Sequence, residues 1–186
     1  LYRSVAYISK ERLLSWNDES ALESLTSSLQ FSFVTNDLGL RLLCDGVDIT
    51  QEIRSDTISH GASIVSTLKG VRASLLAVQK DLAAQSDVIM DGRDIGTVIM
   101  PDADLKIFVD AQASIRAQRR YEQYVEKGIV TTYKEVLAAL QSRDEQDATR
   151  AISPLKQAED AYLLDTSHRT IEDSLVQILE WVEERK

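Results

Sequence analysis

The sequence is short of several residue types, and each shortage excludes a class of protein. It has one cysteine, Cys44, so no disulfide can form within the chain, which fits a protein of the reducing cytoplasm. Its two histidines, His60 and His168, have no partner cysteine or second histidine at useful spacing. We therefore assign no metal-ligating residues and expect no zinc site.

Long hydrophobic runs and an excess of basic residues are also lacking. No apolar run approaches the about 20 residues of a membrane-spanning helix, and no signal peptide is visible. Acidic residues number 30 against 21 lysines and arginines, and the net charge of −9 argues against a nucleic-acid binder held by phosphate contacts. We expect no membrane and no nucleic-acid partner, although a local basic pocket for a small anion remains compatible with this charge.

The apolar residues, 44% of the chain, suffice for one core, and their spacing predicts an α/β fold. Three short strands are predicted: DVIM (87–90), LKIFVD (105–110) and AYLLD (161–165). Helices alternate with them at about 112–127, 132–149 and 170–185. The last helix is expected to bury four apolar residues: Ile171, Leu175, Ile178 and Val182. This alternation is typical of a parallel sheet flanked by helices. Because such sheets usually have about five strands or more, we expect further strands upstream of Leu1.

The first 85 residues carry a second pattern. Helices are predicted over four segments: about 1–14, from a cap at Asn17 or Asp18, and about 55–68 and 71–85, the last two joined at Lys69-Gly70. The segment 31–50 alternates in polarity and is split by turn sequences at Asp37–Gly39 and Asp45-Gly46. It therefore predicts a small antiparallel sheet, the one candidate for a subdomain.

The sequence DGRD follows the first predicted strand of the parallel sheet. In open parallel sheets, ligands bind beyond the carboxyl ends of the strands, where Asp91, Asp110 and Asp165 all fall. An arginine between two acids, Arg93 with Asp91 and Asp94, suits a polar ligand at such a strand end. The alternative is a polar turn whose aspartates cap the next segment.

A second group of charges ends the helix predicted at 132–149. An apolar stripe runs along this helix: Tyr133, Val136 and Leu140. At helical spacing the stripe continues into Arg143, Asp147 and Arg150. Because buried charges are costly unless paired or bound, these residues predict a charged cleft. The alternative is an ordinary ion pair on a solvated helix end.

A third group, Arg116, Arg119 and Arg120, forms one patch on the helix at 112–127. With no acid nearby, these guanidinium groups are expected to repel one another unless they share an anion, and the alternative is a solvated face. Arginine binds phosphate bidentately and stays charged. An acidic chain with arginines on inward-facing elements therefore predicts a phosphorylated small molecule as ligand, and phosphoryl transfer needs little beyond positioning and positive charge.

Three longer motifs, in this order and spacing, closely resemble bacterial cytidylate kinases (CMP kinases): MDGRDIGTVIMPDADLKIFVDA, RAQRR and RDEQDATRAISPL. LYRSV, DGVDITQEIRS, GASIVS and VRASLL also have counterparts there, so the resemblance covers essentially the whole chain. It implies a P-loop fold and the ATP- and Mg²⁺-dependent conversion of CMP or dCMP to its diphosphate, in pyrimidine metabolism. It also implies a monomer whose antiparallel insert belongs to the nucleoside-monophosphate-binding region.

The resemblance implies a role for individual residues. Three would read the cytosine ring: Ser63, Arg72 and Asp94. Three would hold the CMP phosphate: Arg3, Arg93 and Arg150. Arg143 and Asp147 would contact the sugar hydroxyls, with Arg143 also near the transferring phosphate. Arg119 and Arg120 would belong to a mobile lid over ATP, and Asp91 would support the DGRD turn or the metal–phosphate region.

The resemblance also implies a single kinase domain over 1–186, with three parts. These are a core at about 1–14 and 86–186, a monophosphate-binding region at about 15–85, and a lid at about 116–150. The family's opening strand and its loop G-x-x-x-x-G-K-[ST], which cradles the phosphates of ATP, do not occur in these 186 residues. We expect them in an upstream segment, without which the chain lacks its phosphoryl-donor site.

Two other interpretations remain. VIMDGRDIGTV resembles the phosphatase signature D-x-D-G-T of haloacid dehalogenases, but an extra residue precedes Gly96-Thr97 and breaks that turn. This interpretation predicts a Mg²⁺-dependent phosphatase that needs no ATP. A non-catalytic nucleotide-binding remnant predicts CMP binding without turnover. A kinase that prefers UMP or AMP would leave Ser63, Arg72 and Asp94 together unexplained.

Overall fold

The computed structural model describes residues 1–37, 39–84 and 87–185. The chain divides into two units, Leu1–Ile89 and Met90–Lys186, called here the first and the second unit. The α/β class predicted from the sequence is confirmed: the described residues form helices, one antiparallel sheet and one parallel sheet.

Helices make up most of the first unit: α1 (Tyr2–Glu11), α2 (Glu19–Ser28), α3 (Asp56–Val65) and α4 (Lys69–Ala84). Asp18 caps α2 by accepting a hydrogen bond from the Ala21 N–H, as predicted. The largest side chains in the core of this unit are fully buried: Val5, Leu22, Val65, Val71 and Leu75. The residue at position 85, where α4 was predicted to end, lies outside the described residues.

The predicted antiparallel sheet is confirmed as β1 (Phe31–Asn36), β2 (Gly39–Cys44) and β3 (Val47–Asp48), in that order. One residue of the first predicted turn, Leu38, lies outside the described residues. Asp48 accepts hydrogen bonds from Thr50 and Arg41, and these bonds lower its pKa to about 2. The carboxylate therefore stays charged and ties β3 to β2.

The predicted junction of α3 and α4 at Lys69-Gly70 is wrong, because both residues already belong to α4. The helices are separated by 66–68 instead. Gly70 lies in the first turn of α4, where its N–H donates to Glu19 Oε1 over 3.1 Å and Glu23 packs where a Cβ would lie. The glycine thus permits close packing of α2 on α4 rather than a turn.

The second unit starts irregularly and then forms a π-helical turn at Ile95–Ile99. Its regular elements follow: β4 (Ile107–Asp110), α5 (Ala113–Glu126), α6 (Tyr133–Thr149), β5 (Tyr162–Asp165) and α7 (Ile171–Glu184). β4 and β5 pair in parallel, from Ile107 opposite Tyr162 to Asp110 opposite Asp165. Two of the three predicted parallel strands, and all three predicted helices, are therefore confirmed.

The strand predicted at 87–90 is wrong. These residues are irregular, and the Ile89 side chain is fully exposed. A strand exists through hydrogen bonds to a neighbouring strand, and within the described residues β4 pairs only with β5. An apolar run alone does not supply that partner, so the predicted buried strand does not form here.

The predicted inner face of α7 is also wrong. Ile171 is 83% exposed, Leu175 54% and Val182 36%, while Ile178 is half-buried. α7 packs on β5 through a stack of Trp181 on Tyr162, with ring centroids 4.8 Å apart. The periodicity identified residues that share one face of the helix, but the described residues leave most of that face uncovered.

No single helix among the described residues is both long and apolar enough to cross a membrane. Only as a pair, bent by 102° at their junction, do α3 and α4 reach that length and composition. Both helices bury residues in the core of the first unit.

Gly128 ends α5 and offers a test of this local geometry. Its φ is +68°, and no atom lies within 4 Å of where a Cβ would be, so only backbone strain opposes a side chain. Gly128→Ala is expected to lower the free energy of unfolding by about 1 kcal/mol, measured by denaturant titration. Lys127→Ala, one residue earlier at φ −84°, is the matched control. Equal stability of the two variants would contradict the assignment of strain to position 128.

Candidate active site

Asp94 begins the π-helical turn, and its side chain is buried. Its carbonyl oxygen accepts hydrogen bonds from the Val98 N–H at 2.9 Å and from the Thr97 hydroxyl at 3.4 Å. The residue is 5% exposed, whereas Asp91 and Arg93 in the same segment are exposed. The DGRD segment therefore turns one of its two acids into the protein and leaves the other at the surface.

Helix α6 supplies the opposite side of the site. Thr132 and Glu135 form a capping box at its start, and Val136 is buried on its inner side. At the other end of the same stripe Asp147 is 5% exposed, which confirms that the inward face of α6 becomes charged. After α6, the Leu155 N–H donates to the Asp147 carbonyl over 2.8 Å and folds the following segment back.

The two segments meet in what we call the arginine–aspartate cluster: Arg93, Asp94, Arg143, Asp147 and Arg150. Arg93 Nε donates to Asp147 Oδ2 over 2.9 Å, and Arg143 Nε lies 4.0 Å from the same oxygen. Arg150 lies 3.7 Å from Asp147 Oδ1 and 3.7 Å from Asp94 Oδ1, and its Nε donates to the Ser153 carbonyl. One buried carboxylate thus contacts three arginines.

The cluster carries three positive and two negative charges, so it has a net charge of +1. The side chains of Arg150, Asp94 and Asp147 are 5, 7 and 8% exposed, whereas those of Arg93 and Arg143 are 45 and 36% exposed. The acids therefore hold the arginines from within, and two guanidinium groups reach the surface. Such an arrangement suits an anion that arginines bind bidentately, a phosphate above all.

The predicted arginine patch on α5 does not behave as one group. Arg116 makes a bidentate ion pair with Asp144 of α6, at 3.0 and 2.7 Å, and this hydrogen bonding raises the pKa of Arg116. The expectation that no acid is near is therefore wrong, because the acid comes from a neighbouring helix that spacing along α5 does not reveal. Arg119 donates to the Thr166 carbonyl over 2.6 Å, and Arg120 lies over the Tyr124 ring.

The acids that end the two parallel strands close their own turns. Asp110 accepts a hydrogen bond from the Ala111 N–H, and Asp165 accepts one from the Ser167 N–H, which lowers the pKa of Asp165. Their position at the strand ends was predicted correctly. Their side chains stabilise the strand-to-helix connections, while the arginine–aspartate cluster forms at the π-helical turn and α6.

In the first unit, the predicted binding residues lie on three helices. Arg3 of α1 donates to the Ile53 carbonyl over 3.0 Å. Arg72 of α4 is 7% exposed, donates to the Ser66 carbonyl and lies over the Tyr2 ring, 5.4 Å from its centroid. Ser63 of α3 is 8% exposed. The sequence did not single out Tyr2, whose aromatic ring beside Arg3 was the available signal.

Two kinds of chemistry find little support here. Burial raises the pKa of the Cys44 thiol to about 11, so it stays protonated and is a poor nucleophile. Within the described ranges, no three His, Cys, Asp or Glu side chains come together as metal ligands. These residues therefore do not form a Mg²⁺ site of their own, and we derive no catalytic step through the ion.

Comparison with known proteins agrees with this geometry. A sequence model of the family described as cytidylate kinase matches residues 1–184. The cytidylate kinase of Leuconostoc mesenteroides is 38% identical over 183 residues, which are 98% of this chain and 82% of the relative. Those of Chromobacterium violaceum and Carboxydothermus hydrogenoformans are each 40% identical, over 100 and 97% of this chain and 82 and 81% of their own lengths. The chain belongs to the cytidylate kinase family.

Proposed function

We propose that the chain belongs to an enzyme that transfers the γ-phosphoryl group of ATP to CMP or dCMP. The arginine–aspartate cluster, with its net positive charge and its two surface-reaching guanidinium groups, is the observation that carries this proposal. Phosphoryl transfer depends on positioning and on positive charge around the transferring group. A cluster of arginines held in place by buried acids supplies both.

Each member of the cluster has a proposed role. Arg93 and Arg150 bind the phosphate of CMP, and Arg143 stabilises the charge on the transferring group. Asp147 holds these three arginines and accepts a hydrogen bond from the sugar. Asp94, which contacts Arg150 through Oδ1, accepts a hydrogen bond from the exocyclic amine of cytosine through its other oxygen.

The remaining predicted residues keep their proposed roles separately. In the first unit, Ser63 and Arg72 contact the cytosine ring and Arg3 contacts the phosphate. In the second unit, Asp91 supports the DGRD turn. Arg119 and Arg120 belong to a lid that excludes water from the reaction.

The setting of the reaction is also part of the proposal. Mg²⁺ arrives with ATP, since this ion binds mainly phosphate oxygens and keeps few protein ligands. The net charge of −9 favours free nucleotides over nucleic acid or membranes as partners. We propose a cytoplasmic monomer that acts in pyrimidine metabolism.

The proposal is tested with the full-length protein by measuring ADP formation from ATP and Mg²⁺, with CMP, dCMP, UMP and AMP as acceptors. Turnover is expected with CMP and dCMP. Binding of CMP with no turnover would favour a non-catalytic remnant, and equal turnover of all four acceptors would remove the role in base recognition.

Asp94→Ala tests the role in base recognition most directly. It removes the proposed acceptor for the cytosine amine, so the preference for CMP over UMP and AMP is expected to fall by about ten- to hundredfold. The KM for ATP is expected to change little. Asp102→Ala, an exposed acid beyond the same π-helical turn, is the control. Unchanged acceptor selectivity in Asp94→Ala would remove Asp94 from the recognition of the base.

A further inference from the structure

Lys106 is a buried lysine outside the arginine–aspartate cluster. Its side chain is 9% exposed, which is unusual for lysine. The ammonium group donates to both carboxylate oxygens of Asp160, over 2.8 and 2.7 Å, and to the Pro101 carbonyl. Its own carbonyl accepts the Tyr162 N–H over 2.9 Å, beside the first residue pair of β4 and β5. The parallel sheet thus anchors the main chain at this residue.

The aliphatic part of Lys106 lies against the π-helical turn. A Cβ at Gly96, inside this turn, would lie 3.2 Å from Lys106 Cδ and 3.5 Å from Cγ. The residue after the turn, Met100, donates to the Ile95 carbonyl, and Pro101 follows at once. Lys106 therefore contacts the turn at its middle through the stem and just beyond its end through the ammonium group.

The same turn carries Asp94 at its start. The hydrogen bonds from Val98 and Thr97 end on the Asp94 carbonyl, so a shift of the turn moves Asp94 with it. π-helical turns are rare and have poorer intrinsic stability than α-helix, so they need support from their surroundings. We propose that Lys106 is a positioning residue that fixes this turn and thereby the carboxylate of Asp94 in the acceptor site.

This inference rests on the proposed transfer to CMP, and the experiment separates the two. In the full-length protein, Lys106→Met keeps an unbranched stem and removes the ammonium group. It is expected to raise the KM for CMP by about tenfold, since small displacements of binding groups have large kinetic effects. The kcat and the KM for ATP are expected to stay within about twofold. Glu159→Gln removes a charge from the exposed residue beside Asp160 and serves as the control.

A double-mutant cycle shows whether Lys106 acts through Asp94. In the Asp94→Ala background, Lys106→Met is expected to raise the KM for CMP by less than about twofold, because the group it positions is gone. Effects that multiply, or an equal loss of kcat with every acceptor, would overturn the proposal and indicate a general structural role.

Gly96→Ala is the second probe, for the case that Lys106→Met does not fold. It displaces the lysine stem from the other side and is expected to produce the same rise in the KM for CMP with an unchanged KM for ATP. An unchanged KM for CMP would overturn the proposal. If the wild-type protein does not turn over CMP, the proposed function fails; if it does and these variants behave like it, the positioning role alone fails.

Discussion

Arg150→Ala is expected to lower kcat/KM for CMP by about 1.5–3 kcal/mol, a factor of about ten to a hundred. Its side chain is 5% exposed and contacts both buried acids of the cluster, so no water or neighbouring cation readily replaces it. Steady-state kinetics with CMP as the varied substrate measure the effect. Arg150→Lys, which keeps the charge but loses the bidentate fork, is expected to fall between the two.

A matched control for this result is Arg169→Ala, which removes an exposed arginine of the second unit. The loss in Arg150→Ala must exceed the loss in Arg169→Ala while the protein remains folded at the assay temperature. Wild-type kinetics in folded Arg150→Ala would exclude Arg150 from the acceptor site.

Asp147→Asn is expected to have the largest effect on stability, a loss of about 3–5 kcal/mol in the free energy of unfolding. The substitution keeps the shape of the side chain but removes the carboxylate that Arg93, Arg143 and Arg150 contact. The three positive charges then face only Asp94 in the cluster. Denaturant unfolding at neutral pH measures the loss.

Asp144→Asn is the control for this second prediction. It breaks a bidentate pair with Arg116 three residues earlier on α6, but there both side chains are about one-third exposed. Exposed pairs contribute about 0.2–1 kcal/mol. If Asp147→Asn cost no more than Asp144→Asn, the shared carboxylate would not be what holds the arginines together.

The part of the site on α6 was predictable because a helix has a fixed period. Val136 and Asp147 lie on one face whatever surrounds them, so the change from apolar to charged residues along that face was visible in the sequence. The resemblance to the kinase family added the expectation that DGRD and this helix act together. The structure brings them to 2.9 Å at Arg93 and Asp147.

What failed depends on partners that periodicity does not contain. An apolar run such as DVIM was taken for a strand, but a strand forms only beside another strand. The apolar face of α7 was identified correctly as a face, yet burial depends on what packs against it. Arg116 was assigned no acid because Asp144 approaches from a different helix.

The π-helical turn was not predictable by the same reasoning. Its hydrogen bonds, such as that from Met100 to Ile95, belong to a conformation that ordinary helix and strand patterns do not describe. The glycines of DGRDIGT indicated an unusual backbone, but they are equally typical of a simple turn. The burial of Asp94, on which its proposed role depends, follows from this conformation.

The central claim is that this enzyme transfers a phosphoryl group from ATP to CMP. The most direct test follows the label from ATP carrying radioactive phosphorus in the γ position, with CMP and the full-length protein. The account predicts label in CDP, with little in inorganic phosphate. Label released as inorganic phosphate, or none transferred to CMP, would contradict it.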